Sequence, residues 1–421
     1  MDNLKANASE LFKWNRLDLP IKLLYLKYKG ANTSFGDEIY KKHLELWNGF
    51  KEYDNPSKNS FEAFISTFNS ITRDIQNDNF DWSLSPLIVD DNIQLMNGAH
   101  RCAASAFLNK KITYQLSTSP MDGQVNCNFE LFKNLGLNSE YLDEAALELV
   151  RTNPNYLIVS LFPSATKDRH LVNQIITKYC NIAYQKDVYL NSNGAFNYTL
   201  QLYKGESWAG GWNNNFGGFR SKTRQCFTNN DRPMTVYLID LTNLETARQL
   251  KNEIRALYNI GNHSVHINDT SEETLRLARC LFNKNSIHFL NYSKLQYYPK
   301  FLEQLHFYEN YIKENNLNFE DYCITASSVL SLYGLREGND LDYLHFNPTQ
   351  IKGHHDVHSH NDYGLTRYKK TKDDIIFNPK NHFYYGNLKV ASLEIVKQLK
   401  CDRGEHKDII DIKLINQIKI I

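Results

Sequence analysis

Several features that would direct a protein to a membrane or to nucleic acid are missing from this chain. No run approaches the roughly 20 consecutive apolar residues that a membrane-spanning helix needs, and the first residues lack the apolar core of a secretory signal peptide. The 48 Lys and Arg residues are balanced by 47 Asp and Glu residues, so no net field attracts nucleic acid. We therefore expect a cytoplasmic protein that has no membrane span and binds no nucleic acid.

Cysteine usage also excludes some classes of site. The seven cysteines are scattered and never form a CxxC pair. This pattern favours thiols that stay reduced in a cytosol over a disulfide framework or a zinc site.

The chain is too long, at 421 residues, for one ordinary hydrophobic core. We predict a three-domain α+β or α/β chain. Its parts are a first domain over 1–118, a helical linker over 119–150, a central domain over 151–290, a helical connector over 291–317 and a last domain over 318–421. In the central domain, strand patterns alternate with helix patterns: strands at 156–162, 182–190 and 234–240, and helices at 169–181, 244–257 and 271–282.

The central domain contains the most informative segment, the pair Ile254-Arg255 and the run His263–Thr270. Thr270 and Glu273 have the spacing of a reciprocal capping box, so a helix should begin there, with His266 just before its N-terminus. Exposed N–H groups at such a helix end favour an anion such as phosphate. A neutral imidazole beside them is a plausible phosphate acceptor.

This segment resembles the active-site segment of nucleoside diphosphate kinases, in which an Ile-Arg pair is followed by Asn-x-x-His-Gly-Ser-Asp-Ser and a helix. The resemblance implies a ferredoxin-like central domain in which His266 accepts the phosphate and Arg255 contacts the nucleotide. By the same resemblance Asp269 acts through Mg²⁺ or the helix cap, and Tyr203 lies near the transferred phosphate.

The chain departs from the family at three positions. Phe162 stands where the family has a phosphate-binding Lys, Asn268 replaces the Ser of the motif, and Leu277 replaces the Glu that orients the histidine. Lys222 or Arg220, at the end of the glycine-rich stretch, could replace the missing charge. The alternative is a retained fold whose catalysis is lost or altered.

A second informative segment lies in the last domain. Asp340 and Asp342 alternate on a strand pattern, so their carboxylates should face one side and could hold Mg²⁺. Ser327 and Ser328 precede a helix pattern, where hydroxyl and N–H groups could hold a phosphate. The arrangement resembles the nucleotidyltransferase superfamily, in which a small residue and a Ser precede Asp-x-Asp; the small residue here is Ala326 or Ser327.

Other residues of the last domain are assigned further roles. Arg336 lies between the serines and the carboxylates and is assigned to nucleotide binding, while Asp362 is a candidate third carboxylate. The run 354–362 is rich in His and fits either a metal site or a polar loop. The tail 386–411 looks like nucleotidyltransferase-like domains from bacterial surface-polysaccharide clusters, which implies a surface-glycan pathway.

The first domain contains Asn97-Gly98-Ala99-His100-Arg101 between a hairpin pattern and a helix pattern. This run resembles the phosphate-binding box of the ParB/sulfiredoxin-like fold, whose members include CTP-binding partition proteins and free-serine kinases. The resemblance implies that Gly98, His100 and Arg101 bind phosphates. The alternative is an Arg and a His that are buried and satisfied within the fold.

Three separate segments thus indicate phosphate or nucleotide chemistry. We expect a phosphotransferase that uses a nucleoside triphosphate, ATP or CTP, with Mg²⁺ to phosphorylate a small metabolite or a sugar precursor. Two alternatives stay open: a nucleotidyltransferase that uses Asp340 and Asp342, and a scaffold that binds nucleotide without catalysis. The acceptor, the base preference and the oligomeric state are not specified by the sequence.

Overall fold

The computed structural model describes residues 4–52, 55–117, 126–228, 231–361 and 364–418. Within these residues the chain is a mixture of helices and three small sheets, as expected of a multi-domain α+β protein. The strands are β1 (Leu4–Asn7), β2 (Leu87–Val89), β3 (Leu95–Asn97), β4 (Lys111–Leu116), β5 (Tyr156–Leu161), β6 (Asn181–Val188), β7 (Met234–Asp240), β8 (Val265–Ile267), β9 (Tyr322–Thr325), β10 (Leu341–His345), β11 (Val357–Ser359), β12 (His382–Tyr385) and β13 (Leu388–Ala391).

The helices of the same residues surround these sheets. They are α1 (Asp18–Tyr28), α2 (Phe35–Asn48), α3 (Phe61–Gln76), α4 (Ala99–Phe107), α5 (Phe129–Asn134), α6 (Ser139–Thr152), α7 (Arg169–Tyr179), α8 (Ser192–Leu202), α9 (Gly217–Cys226), α10 (Leu244–Tyr258), α11 (Ser271–Leu281), α12 (Lys284–Tyr292), α13 (Pro299–Glu314), α14 (Ser327–Leu332), α15 (Lys372–Phe377), α16 (Leu393–Arg403) and α17 (His406–Asn416). Across the part of the chain that is described, no helix has the length and apolar character to cross a bilayer.

The first sheet has the strand order β1-β4-β2-β3. Strand β4 pairs antiparallel with β1 and parallel with β2, and β3 pairs antiparallel with β2. The predicted hairpin followed by a helix is present as β2, β3 and α4. Gly98 precedes α4 with φ +103°, and a Cβ there would lie 2.3 Å from Leu87 Cδ2, so only glycine fits this turn.

The central sheet has the strand order β8-β5-β7-β6, and all of its pairs are antiparallel. Helix α7 connects β5 to β6, and α10 connects β7 to β8. Each connection therefore joins two parallel strands that have a third strand between them, which is the split β-α-β arrangement. The predicted strands and helices of this region are confirmed to within a few residues. Tyr203 is the residue that follows α8.

The two faces of the central sheet pack against different helices because side chains alternate along a strand. Leu157, Val159 and Leu161 of β5 pack in a core with α7 and α10. Tyr156 and Ile158 point to the opposite face and join the larger core, which extends through the described parts of all three sheet regions. The sheet regions thus share one continuous apolar interior.

The third sheet has the strand order β11-β10-β9-β13-β12. Strand β10 pairs antiparallel with β9 and parallel with β11, while β13 pairs parallel with β9 and antiparallel with β12. Helix α14 follows β9 and leads into β10. The predicted strand around Asp342 is therefore present, although it begins at Leu341, so Asp340 lies just before it.

The helix predicted within the linker, α6, is not an exposed connector. All nine of its residues from Leu142 to Val150 are buried, including Asp143, Glu144 and Glu148. Two of these acids pair with bases from other regions, Asp143 with Lys186 on β6 and Glu148 with Lys27 on α1, while Glu144 pairs with Arg151 of α6 itself. Helix α6 is therefore a shared central element of the fold.

Arg151, at the C-terminal end of α6, connects this helix to the third sheet region. Its guanidinium lies 3.2 Å from a Glu320 carboxylate oxygen and donates to Tyr384 Oη at 2.7 Å. Arg279 and Lys389 contact the same carboxylate. Burial alone would raise the pKa of Glu320, but these three positive charges hold it well below its usual value.

We expect Arg151→Met to lower the free energy of unfolding by about 3 kcal/mol, because it leaves buried carboxylates without their positive partner. Urea unfolding followed by far-UV circular dichroism measures the change. The control is Arg248→Met on α10, whose ion pair with Glu245 is exposed and should contribute less than about 1 kcal/mol. Equal effects of the two substitutions would contradict the assignment.

Candidate functional site

His266 lies at the centre of the short strand β8. Its neighbours Val265 and Ile267 point into the core with α7 and α10, so the imidazole points to the opposite face of the sheet, beside Ser160 of β5. Nε2 is buried and has no hydrogen-bond partner among the described residues. The side chain as a whole is 18% exposed, so the ring remains open to a ligand.

The loop from β8 to α11 is held in place by Asn268, the residue that replaces the family's Ser. Its buried amide donates to Thr270 O at 2.8 Å and to Thr274 Oγ1 at 2.7 Å, and its oxygen accepts from Ile158 N at 2.6 Å. Thr270 caps α11 by accepting from the N–H of Glu273 at 3.2 Å. The amide therefore fixes where α11 begins relative to the sheet.

The other half of the predicted capping box differs from expectation. The Glu273 carboxylate accepts from the N–H of Asp269 at 3.4 Å, not from that of Thr270. Its second oxygen, Oε1, lies 3.6 Å from His266 Nε2. Glu273 therefore supplies a carboxylate beside the imidazole. The resemblance to nucleoside diphosphate kinases implies this carboxylate at position 277, but Leu277 is buried in the core.

The Glu273 carboxylate acts on the ring as a nearby negative charge, because 3.6 Å is too long for a hydrogen bond. Burial lowers the pKa of His266, and Glu273 only partly offsets this effect. The net lowering of the pKa favours the neutral imidazole near pH 7.

Positive side chains from α9 and α10 surround the histidine. Lys251 Nζ lies 3.6 Å from Asp269 Oδ1, and Arg255 Nε is buried without a hydrogen-bond partner among described residues. Lys222 Nζ donates to Asn262 O at 2.6 Å. Burial lowers the pKa of all three bases, and the Asp269 carboxylate partly offsets this effect at Lys251.

Lys251 was not predicted as a site residue, although its spacing from Arg255 along the sequence could have indicated it. It precedes Arg255 by four residues on α10, so both lie on one face of that helix. Of the two replacements suggested for the missing phosphate-binding Lys, Lys222 is the one in the site. Arg220 instead donates to Asn215 O, and Phe162 is buried in the core.

Tyr203 forms the aromatic side of the site. Its ring packs edge-on to His266 at 5.3 Å between centroids and to Trp208 at 5.2 Å. Lys222 Nζ lies 5.5 Å from the same ring. Arg255 is near enough to affect the pKa of Tyr203, which burial raises. His266, Arg255, Asp269, Tyr203 and Lys222, all predicted from sequence, thus lie together.

The carboxylate pair of the third sheet region lies in a different setting. Asp342 is buried, and its Oδ1 lies 3.2 Å from His360 Nε2. His360 Nδ1 is hydrogen-bonded to Tyr368 Oη at 2.9 Å, and that hydroxyl to Thr325 Oγ1 at 3.0 Å. Asp342 therefore lies at one end of a chain of polar contacts that runs through His360 and Tyr368 to Thr325. His360 was not predicted as the partner of Asp342.

Ser328 aligns the start of β10. Its Oγ accepts from the N–H of Asp342 at 3.0 Å and donates to Asp340 O at 3.3 Å. Ser327 is the first residue of α14, and Ala326 before it has φ +53° and ψ −134°. This is a conformation that glycine favours and alanine adopts only under strain, at the position where the nucleotidyltransferase motif prefers glycine.

Two further predictions about this region have different outcomes. Among the residues the structure describes, no group of three or more His, Cys, Asp or Glu side chains is arranged to hold a metal ion, and Asp362 lies outside those residues. Arg336 binds Asp411 through two hydrogen bonds of 2.5 and 2.8 Å. Its guanidinium is thus engaged in packing α17 against the loop before β10.

The side chains predicted to bind phosphate in the first domain are engaged within the fold. His100 Nε2 is hydrogen-bonded to Tyr40 Oη at 2.7 Å, and its ring packs on Phe68. Arg101 Nη1 donates to Ser85 O at 2.6 Å and to Pro86 O at 2.9 Å. These contacts correspond to the alternative in which both residues are satisfied structural groups.

We expect Glu273→Gln to lower the pKa of His266 further, because the substitution removes the negative charge that opposes the effect of burial. The pKa is measured from the pH dependence of the His266 ring signals in NMR spectra. Glu272→Gln, one residue earlier on the exposed side of α11, should leave it unchanged. A rise in the His266 pKa in Glu273→Gln would contradict the described geometry.

We expect Ala326→Gly to raise the free energy of unfolding by about 1 kcal/mol, because relief of backbone strain exceeds the loss of one buried methyl group. Chemical unfolding measures the change. Ala278→Gly, within helix α11, is the matched control and should destabilise the protein by about 1 kcal/mol or more. The strain assignment is wrong if both substitutions destabilise equally.

Comparisons of the chain with protein-family models, with curated proteins and with solved structures each find no match. The function is therefore argued from the geometry of the site.

Proposed function

We propose that the protein is a phosphotransferase whose central site passes a phosphoryl group through His266. The observation that carries the proposal is a partly buried histidine, whose pKa burial lowers, with a carboxylate near one ring nitrogen and three partly buried bases close by. A phosphate would provide negative charge for Lys222 and Arg255 and would add to that of Asp269 at Lys251, and it would lie within reach of Nδ1.

The proposed reaction has two steps. The Nδ1 lone pair attacks the γ-phosphorus of a nucleoside triphosphate, ATP or CTP, and the bond to the bridging oxygen breaks, so the diphosphate leaves with the electron pair. A hydroxyl of a small metabolite or sugar precursor then attacks the phosphohistidine. The N–P bond breaks, the lone pair returns to Nδ1, and the hydroxyl proton passes to solvent.

The surrounding residues have separate parts in this scheme. Glu273 keeps the proton on Nε2, while the three bases stabilise the charge on the transferred group. Mg²⁺ bound to the nucleotide would neutralise further phosphate charge, and Asp269 is the carboxylate assigned to it. Tyr203 limits the position of the phosphoryl group beside the ring.

The topology supports the same proposal. The strand order β8-β5-β7-β6 with split β-α-β connections is that of ferredoxin-like domains, the fold that the resemblance to nucleoside diphosphate kinases implies. His266 lies on the last strand and Arg255 on the preceding helix, in the order of the motif. A role in precursor synthesis for surface glycans rests on the resemblance of the 386–411 tail alone.

A second candidate is nucleotidyl transfer at Asp340 and Asp342. The strained backbone of Ala326 favours it, because strain of this kind concentrates at functional sites. Ser328 also ties the helix α14 to both acidic residues. In this scheme the two carboxylates hold Mg²⁺ on the nucleotide phosphates, and the central site only binds.

Incubation with γ-labelled ATP, and in parallel γ-labelled CTP, distinguishes the candidates. We expect an acid-labile label on the wild-type protein and on His170→Ala, an exposed histidine of the same sheet region, but none on His266→Ala. The absence of a label on the wild type, with release of labelled pyrophosphate that is lost in Asp342→Asn and kept in Asp356→Asn, would favour the second candidate. Nucleotide binding without turnover would indicate a non-catalytic scaffold.

A further inference from the structure

A cavity of about 320 Å³ lies between the central and third sheet regions, apart from His266. It has room for roughly ten groups the size of a water molecule. Cavities of this size that are mainly apolar and lie between structural units are the usual sites of small-molecule ligands. Nothing in the proposed phosphate transfer uses it.

One face of α13 forms the floor of the cavity. Tyr298 at its start, then Phe301, Leu302, Leu305 and Glu309, line the space, and their spacing places them on one side of the helix. At 1.5 Å per residue, the distance from the first to the last is about 16 Å. The cavity is therefore an elongated slot.

The opposite wall is also apolar. It includes Leu200 of α8 and the aromatic residues Trp212, Phe216 and Phe219. The polar Asn197 lines the slot as well, but its amide donates to Leu290 O at 2.8 Å and to Ser293 O at 2.9 Å. These protein contacts leave mainly hydrocarbon and aromatic surface to face a ligand.

The charges on the slot are arranged asymmetrically. Lys294 lines it five residues before α13 begins, and Lys204 lines the α8 side; neither forms an ion pair with a described residue. Glu309 lies toward the C-terminal end of α13 and raises the pKa of Tyr385 together with burial. An anion is therefore favoured at the Lys294 end and repelled at the other.

Apolar side chains are exposed beside the slot. Trp212 is 47% exposed, and its ring packs edge-on to that of Tyr297, which is 58% exposed, at 5.3 Å. Leu295, in the same loop before α13, is also exposed. Large apolar side chains grouped at the edge of an apolar cavity mark a ligand-binding surface.

We propose that the slot binds an amphipathic anion, an extended alkyl or isoprenoid chain lying along α13 with its phosphate or carboxylate beside Lys294 and Lys204. The length of the slot fits a chain, its mainly apolar lining favours hydrocarbon, and its lysines favour an anionic head group. This proposal does not depend on phosphate transfer at His266.

Isothermal titration calorimetry with decyl phosphate, below its critical micelle concentration, tests the site. We expect one molecule bound per chain. Butyl phosphate should bind at least about a hundredfold more weakly, because each buried methylene contributes about fourfold in affinity. Decanoate separates a carboxylate head from a phosphate head, and decyltrimethylammonium, with the same chain and a cationic head, should bind more weakly than both.

Two pairs of variants locate the binding. Leu302→Trp fills the slot and should abolish binding, whereas His306→Trp, on the exposed side of α13, should not. Lys294→Glu should weaken decyl phosphate about fivefold, whereas Lys313→Glu, exposed on the same helix, should leave it unchanged. Because Lys294 is exposed, its substitution does not threaten folding.

Three results would overturn the proposal. These are the absence of saturable binding, equal affinity for the anionic and cationic decyl compounds, and full affinity in folded Leu302→Trp. Sedimentation with phosphatidylcholine vesicles that contain phosphatidic acid is a further test of the proposal. Cosedimentation without binding of monomeric decyl phosphate would indicate adsorption to a membrane surface and would also overturn it.

Discussion

The buried ion pairs of α6 are the constraint on which the rest of the structure depends. Lys186 pairs with Asp143 at 2.7 Å, Lys27 with Glu148, and Arg151 with Glu320 at 3.2 Å. Each pair joins α6 to a different sheet region. Because an unpaired buried charge is far more costly than a paired one, arrangements of the regions that separate these partners are disfavoured. The apolar core supplies attraction, and these pairs make it specific.

The same network reaches the candidate active site through α11. This helix packs against α6 and carries Glu273 in its first turn and Arg279 two turns later. Arg279 contacts the Glu320 carboxylate at 2.8 Å, while Glu273 lies 3.6 Å from His266. Helix α11 therefore connects the interior ion cluster to the imidazole, and it is held by the Thr270 cap at its start and by the Arg279 ion pair near its end.

Local signals made the strands and helices of the central region predictable, because apolar alternation and the Thr270 cap act within a few residues. The resemblance to nucleoside diphosphate kinases indicated four residues of the His266 site, and Lys222 was suggested as a replacement charge. The structure brings these five side chains close together. The partners of α6 could not be predicted in this way, since Lys27, Lys186 and Glu320 are remote in sequence and meet only through tertiary packing. Glu273 was recognised as a capping residue, yet the direction of its carboxylate depends on how β8 meets α11. The resemblance to nucleoside diphosphate kinases therefore implied that carboxylate at position 277, where this chain has Leu277.

Helix α8 separates the His266 site from the apolar slot and contributes to both. Leu200 and Gln201 line the slot, and Tyr203, immediately after the helix, packs on His266. Arg276 of α11, 3.7 Å from Glu273, also donates to Gln201 O. A displacement of α8 would therefore alter both sites at once. By thermodynamic linkage, any effect of an occupant of the slot on anion binding at His266 must be matched by an equal effect in the reverse direction.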